Sequence, residues 1–298
     1  MKICLIGLGD IVKNFLPGLD AARDFSLKAV CDPAEDAPCR DLFEDYHIYT
    51  DYQSMITTEW PHLVIVSTPA DTQMEIAVYA MEHKTGVLLV PPTLSKPDEL
   101  EQLIRLAQEK DVFFDVLLPW QHASTLDAFR EHYEPEQIQD IRVTIREPYA
   151  TSGRIHPTRL ELGGAWHSSG IHAISMIATW LAPENISVTS VEKELCPQSG
   201  LPIYVQTQLD WNGIPVEITV DWRQYGAIQQ TELTYEDRQL LIDHDTQSID
   251  DEGDYIECGY MDAAIQQYHQ YFTTFEEESH AQEAIRIFRI LSAVDEKM

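Results

Sequence analysis

The residues best placed to do chemistry begin with a pair of glycines. Gly7 and Gly9 follow the apolar run Ile3, Cys4, Leu5, Ile6 and precede apolar residues at Ile11, Val12, Phe15, Leu16 and Leu19. The run is too short for a helix and suits a buried parallel strand, while the spacing behind it is helical. Strand, glycine turn and helix together aim free backbone N–H groups and a helix N-terminus at one point, which suits a diphosphate. A second apolar strand over residues 27–31 ends in Asp32. A carboxylate there can accept both ribose hydroxyls of an adenosine and would repel a 2′-phosphate, so NAD is expected and NADP disfavoured. The third small residue of the full glycine pattern is absent, its place taken by Val12, and Asp10 suits a helix cap as well as a ligand contact. A second group lies over residues 146–167, which are dense in polar side chains: Arg146, Glu147, Tyr149, Arg154, His156, Arg159, Trp166 and His167.

The elements that must position these residues change character along the chain. Through residue 118, apolar strands at 62–67, 86–90 and 112–118 alternate with helical patterns at 71–81 and 96–108. That alternation means a parallel sheet with right-handed crossovers, whose ligand crevice lies beyond the carboxyl ends of its strands. Those ends carry Gly7, Gly9, Asp32, Thr68, Pro69, Pro91 and Pro92. Residues 34–46 read as a polar helix and 49–56 as a short connection. Beyond residue 138, strands at 138–146, 186–195, 202–210, 214–221, 230–235 and 238–242 dominate, with Asn212-Gly213 a tight hairpin signal. A helix is expected over 169–181 and closing helices over 262–275 and 281–294. The fold class is therefore α/β: a Rossmann dinucleotide-binding domain over residues 1–120, then an α+β domain over 121–298 with an open, largely antiparallel sheet.

Composition narrows the partners. At 298 residues, 50 acids stand against 20 Lys plus Arg, a net charge of −30, and such a surface repels nucleic acid and anionic membrane. The acids at 249–255 and 275–279 read as solvated clusters. Five scattered cysteines give neither a disulfide framework nor a zinc site, and neither a signal peptide nor a membrane span is evident, so a cytoplasmic setting is expected. The histidines show no metal-ligand spacing, and no metal is expected.

Together these features resemble the Gfo/Idh/MocA oxidoreductases over nearly the whole chain. The resemblance is carried by Gly7-Leu8-Gly9-Asp10, Cys31-Asp32-Pro33, Ser67-Thr68-Pro69, the strand and loop over 86–95, and Gly163-Gly164 followed by Gly170 and His172. It implies hydride transfer between NAD(P) and a carbon bearing a hydroxyl, usually on a sugar or cyclitol. It also implies an open sheet that carries substrate residues and often makes the oligomer, so a homo-oligomer through the C-terminal sheet is expected. The departures are specific. The family's Glu-Lys-Pro lysine, which polarises the reacting oxygen, is replaced by Pro92, which has neither charge nor N–H. Two family acids are Ser168 and Ser175, and a frequent His is Gln73. Lys96 reads as a surface lysine starting a helix.

His172 survives, and a histidine suits acid/base work near neutral pH. At a helix start its pKa would be depressed toward the neutral imidazole that a base requires. Tyr149 or His167 is expected to stand in for the missing lysine as donor to the substrate oxygen. Trp120, Arg154, Arg159 and Trp166 are expected to contact a substrate, and arginines with a tyrosine suit an oxygen-rich or carboxylated one. The expected cofactor contacts are Gly7, Gly9, Asp10, Ile11, Asp32, Thr68, Pro69 and Pro91. Two other readings compete: a sensor or regulatory subunit that binds the dinucleotide without catalysis, and an imine or enone reductase, where a lysine is less needed.

Overall fold

The structure, a computed structural model, describes the chain except for residues 91–95, 151–153, 156, 260 and 276–278. Contacts divide it into two units, Met1–Leu118 with Tyr268–Ile285, and Pro119–Gln267 with Arg286–Met298.

In the first unit the order is β1 (Lys2–Ile6), α1 (Val12–Ala21), β2 (Ser26–Cys31), β3 (His47–Tyr49), α2 (Tyr52–Glu59), β4 (Leu63–Val66), α3 (Ala70–Glu82), β5 (Gly86–Leu89), α4 (Pro97–Lys110) and β6 (Phe114–Val116). The strands form one parallel sheet in the order β3-β2-β1-β4-β5-β6. β4 and β5 are buried at every position, as strands covered on both faces must be. The order reverses beside β1, which is where open α/β sheets bind ligands. Two local expectations fail. Residues 34–46 hold only a 3-10 turn at Arg40–Phe43. Pro38 removes a helical donor there, and Cys39 is tied instead to the glycine loop, its N–H donating to Leu8 O at 2.9 Å and its Sγ to Gly9 O at 3.1 Å. The expected connection over 49–56 contains the end of β3 and most of α2, whose first turn Asp51 caps by accepting from Ser54 N at 2.8 Å. The returning segment brings Tyr268, Tyr271, Phe272 and Phe275 against Phe15, Phe25 and Phe113. Gly18 permits this: a Cβ there would lie 2.7 Å from His269 Cα.

The second unit contains α5 (Ser124–His132), β7 (Asp140–Arg146), α6 (Ile171–Trp180), β8 (Ile186–Leu195), β9 (Pro202–Trp211), β10 (Ile214–Asp221), β11 (Ile228–Thr234), β12 (Gln239–Asp243), β13 (Ser248–Asp251) and β14 (Asp254–Glu257). α7 (Ala263–Thr273) and α8 (Ala281–Asp295) each run from one unit into the other. The eight strands order β14-β13-β12-β11-β7-β10-β9-β8, antiparallel except at β7 with β10. β9 alternates buried and accessible positions from Ile203 to Trp211, the pattern of a sheet with one covered face. Asn212 and Gly213 adopt φ of 56° and 89° in the expected hairpin turn. The acidic stretch 249–255 is not simply a solvated cluster. It is the β13–β14 hairpin, turned at Glu252 and Gly253 (φ 53° and 106°) with Asp250 Oδ1 accepting from Gly253 N at 2.8 Å. Among the described residues no helix is long and apolar enough to cross a membrane.

Candidate functional site

The first unit presents a nucleotide cradle at the carboxyl ends of β1, β2 and β4. Gly7 has φ of +96°, and a Cβ on it would lie 2.7 Å from the Ser67 carbonyl carbon and oxygen. The turn therefore requires glycine both for its dihedral and for the approach of the β4 end. Gly9 differs: a Cβ there would meet nothing within 4 Å. Among the described residues, the N–H groups of Gly9, Asp10 and Ile11 have no acceptor, while Val12 N, Lys13 N and Asn14 N already donate to Gly9, Asp10 and Ile11 carbonyls. Three free donors beside open space at the start of α1 are what a diphosphate needs. Asp32 ends β2 with Oδ2 accepting from Leu8 N at 2.8 Å and Oδ1 from Ala34 N at 2.9 Å. Each oxygen keeps further acceptor capacity for a ribose hydroxyl. The residues present thus fit a dinucleotide.

The neighbouring strand ends are held firmly. Pro69 caps α3, Thr68 Oγ1 accepts from Thr72 Oγ1 at 2.9 Å, and Ser67 Oγ donates to Gly7 O at 2.9 Å. Gln73, fully buried where a histidine was expected by resemblance, bridges the β4 and β5 ends by donating to Thr68 O at 2.9 Å and Val90 O at 3.2 Å. Asp10 pairs with Lys13 at 2.8 Å on the surface. Pro91 and Pro92 lie outside the described residues. Lys96 precedes α4 at the surface, its side chain 74% exposed and bonded to Glu99 at 3.3 Å.

The second unit assembles a cluster of rings and one carboxylate. His172 stacks on Trp120, ring centroids 5.5 Å apart and planes 12° apart, and His244 lies on Trp120 at 5.3 Å. Both histidines are pushed down to about 4 by burial and are neutral at physiological pH. His244 is held between Thr125 Oγ1 on Nδ1 and Thr231 Oγ1 on Nε2, each at 2.9 Å. His172 does not start a helix. A π-helical turn over Trp166–Gly170 runs straight into α6, so desolvation, not a helix terminus, sets its protonation. The π turn is built on Gly170, where a Cβ would lie 2.4 Å from the Trp166 ring.

Glu147 follows β7 and joins the same turn: its Oε2 accepts from Ser169 Oγ at 2.5 Å and from Trp222 Nε1 at 3.3 Å. Tyr149 packs edge-on to Trp222 at 5.2 Å, and the Arg159 guanidinium sits 4.5 Å above its ring. Burial, with Glu147 adding to it, pushes the Tyr149 phenol up to about 12, so it keeps its proton. Asp245 is raised above the ordinary carboxylate range by burial and by Asp243, Glu147 and Asp262.

The structure thus brings Tyr149 and Arg159 together, and His172 and Trp120 together. Among the described residues no hydrogen bond, ion pair or ring contact joins Trp166, His167 or Arg154 to these pairs. Trp166 is fully buried and donates to Leu291 O at 3.1 Å, the contact of a packing residue. His167 Nε2 pairs with Asp295 Oδ2 at 3.2 Å. Arg154 is exposed. Glu147 stood among the loop's polar groups with no assigned role; Ser169 and His244 carried no signal, since their partners are 13 residues or more away in sequence.

Fold and cradle define an NAD-binding Rossmann oxidoreductase fold. Residues 1–117, the greater part of the first unit, match the family model GFO_IDH_MocA, described as "Oxidoreductase family, NAD-binding Rossmann fold", which supports NAD binding at the cradle. No curated protein matches the chain. Similar solved structures span both units. GenD2 from gentamicin A biosynthesis, in complex with NAD, has TM-score 0.82 at 16% identity, covering 100% of this chain and 93% of that one. D-galactose-1-dehydrogenase from Rhizobium etli has 0.80 at 19%, covering 99% and 94%. The 3-ketoreductase KijD10 from Actinomadura kijaniata, with TDP-benzene and NADP, has 0.80 at 16%, covering 99% and 96%. At such identities the likeness bears out the α/β fold, and the neighbours' ligands remain their own.

Proposed function

We propose that this protein transfers a hydride between NAD(H) and a small polar molecule, a sugar, cyclitol or related compound, with NAD preferred over NADP. The observation that carries this is the cradle: open space at Gly9, three unclaimed N–H donors and Asp32 at the β2 end. Bound there, the dinucleotide supplies the hydride. Asp32 selects an unphosphorylated ribose. In the second unit His172 is the catalytic residue, Tyr149 is the donor that replaces the missing lysine, and Trp120, Arg159 and Arg154 contact the small molecule. Arg159 above Tyr149 supports an oxygen-rich substrate. Titrating NADH and NADPH against the protein by fluorescence tests the first step, and no binding of either removes the reading. A screen of polyols, sugars, ketones and imines for change in nicotinamide absorbance then tests turnover.

A non-catalytic sensor of the dinucleotide is the second reading. It is favoured by Pro92 at the lysine position and by the structural employment of His167 and Trp166. Tight NADH binding with no turnover on any substrate class, and no effect of His172→Ala on binding, would establish it instead.

A further inference from the structure

His172 combines two features that are unusual together. Its Nδ1 is sealed from solvent and has no hydrogen-bond partner. Its ring lies flat on Trp120, itself 6% exposed and backed by His244. We propose that His172 meets its reactant as a neutral donor, through an Nε2–H, and not as the base that its residue type suggests. The inference rests on the hydride-transfer reading for the identity of that reactant, but its own argument is geometric.

A neutral imidazole carries one proton, and the other nitrogen is a bare acceptor. Burying an N–H with no acceptor costs the full desolvation of a donor, and orphaned buried N–H groups are rarer than under-satisfied acceptors. The sealed Nδ1 is therefore the bare nitrogen. The Nε2–H form is also the tautomer that a free histidine side chain prefers. The residue as a whole is only half-buried, and of its two ring nitrogens only Nδ1 is both sealed and unpartnered, so Nε2 is the nitrogen that a reactant meets. Charging the ring would place a second N–H on Nδ1 with nothing to receive it. Burial is the sole cause of the depressed pKa, with no charged group contributing. The other histidine on Trp120, His244, is pushed down by burial and held between Thr125 and Thr231. Of the hydroxyls near His172 on its own helix, Ser169 is engaged by Glu147, and Ser175 donates to the His172 carbonyl at 2.9 Å.

An outward N–H recognises an acceptor. It polarises a carbonyl or imine group by hydrogen bonding to its oxygen or nitrogen. It is a poor match for an alcohol awaiting deprotonation, which needs the bare nitrogen. The substrate class that the tautomer selects is thus a ketone, aldehyde or imine, reduced by hydride from the reduced dinucleotide and a proton from the Tyr149 phenol, the donor of the proposed function.

The test needs neither coenzyme nor substrate, so its failure is distinct from failure of the functional reading. The full chain is labelled with 15N-histidine, and two-bond proton–nitrogen correlations are recorded from pH 8 to pH 5. The His172 pattern is identified as the one that His172→Gln removes. We expect Nε2 protonated and Nδ1 bare across the range, with no titration. A protonated Nδ1, or a midpoint near the ordinary histidine value, overturns the proposal. Trp120→Ala should admit water to Nδ1 and raise the His172 midpoint into the measured range, above pH 5. Trp120→Phe, which keeps a smaller ring in place, should raise it less. A midpoint unmoved in both variants also overturns the proposal.

Discussion

The nucleotide cradle and the His172 cluster are built in opposite ways. The cradle is made by neighbours in sequence, Gly7 to Ile11, with one carboxylate from the next strand, and most of its recognition comes from backbone N–H groups. The His172 cluster draws Trp120, Thr125, Glu147, Ser169, Trp222, Thr231 and His244 from six separate stretches, and its contacts are all between side chains. A backbone site needs particular glycines; a side-chain site needs a whole unit folded around it. Substitutions in the first should therefore separate folding from binding cleanly, and those in the second should not.

The largest effect is expected at Gly7. Gly7→Ala places a Cβ against the Ser67 carbonyl at a φ that L-residues avoid, and should cost at least about 2 kcal/mol of stability and displace the turn, so that NADH binding falls with the melting temperature. Gly9→Val is its control, since its side chain enters open space. Thermal melting should place it within about 0.5 kcal/mol of the parent, while NADH fluorescence shows binding weakened about tenfold or more, which is about 1.4 kcal/mol. Equal melting losses in the two variants would break the distinction.

Next in size is an acid sensitivity confined to the second unit. His244 is 1% exposed and its folded pKa of about 4 lies below the ordinary 6.5. A group depressed in this way contributes stability above the unfolded value and loses it as pH falls through the window from 6.5 to 4. At about 1.4 kcal/mol per unit, the loss approaches about 3 kcal/mol. His172 adds to it with the same sign. Asp115 in the first unit has the opposite sign: burial raises its pKa, so its contribution is present at low pH and fades as pH rises. Melting curves of the parent and of His244→Gln should converge toward pH 4 and separate toward pH 7. Parallel curves would remove the buried-neutral account of His244.

The same contrast explains what was legible in the sequence. The strand–glycine–helix unit is local, so Gly7, Gly9 and Asp32 could be read directly, as could the Asn212-Gly213 hairpin. The helix over 34–46 was misread because its polar residues look helical, whereas Pro38 and the ties from Cys39 to the glycine loop prevent it. The β13–β14 hairpin was hidden because both strands end in acids that look like a solvated run. The π turn was hidden because Ser168, Ser169 and Gly170 resemble a helix start, while the helix already begins around Trp166. Trp166 and His167 have the right types for a site. Only the positions of Leu291 and Asp295, more than 120 residues on, show what they do in the fold.

Glu147 is expected to give an intermediate effect. Glu147→Ala leaves the buried Ser169 hydroxyl and the Trp222 N–H short of their shared acceptor, at a cost of about 1–3 kcal/mol. It should lower turnover by loosening the π turn that carries His172, yet leave NADH affinity unchanged, because the cradle is local to the first unit. A parallel fall in NADH affinity would show that the two sites are not independent.

The smallest effect is at Asp32, and it sharpens the cradle most. Its carboxylate has two tasks: it accepts from Leu8 N and Ala34 N, and it offers its remaining capacity to a ribose. Asp32→Asn keeps the side-chain shape and one oxygen acceptor but removes the charge. If the charge excludes a 2′-phosphate, NADPH affinity should rise toward that of NADH while melting shifts by less than about 1 kcal/mol. If the carboxylate mainly ties the two strand ends together, the ratio of affinities stays fixed and both cofactors weaken equally. Fluorescence titration of both reduced cofactors against the parent and Asp32→Asn distinguishes selection by charge from a structural tie.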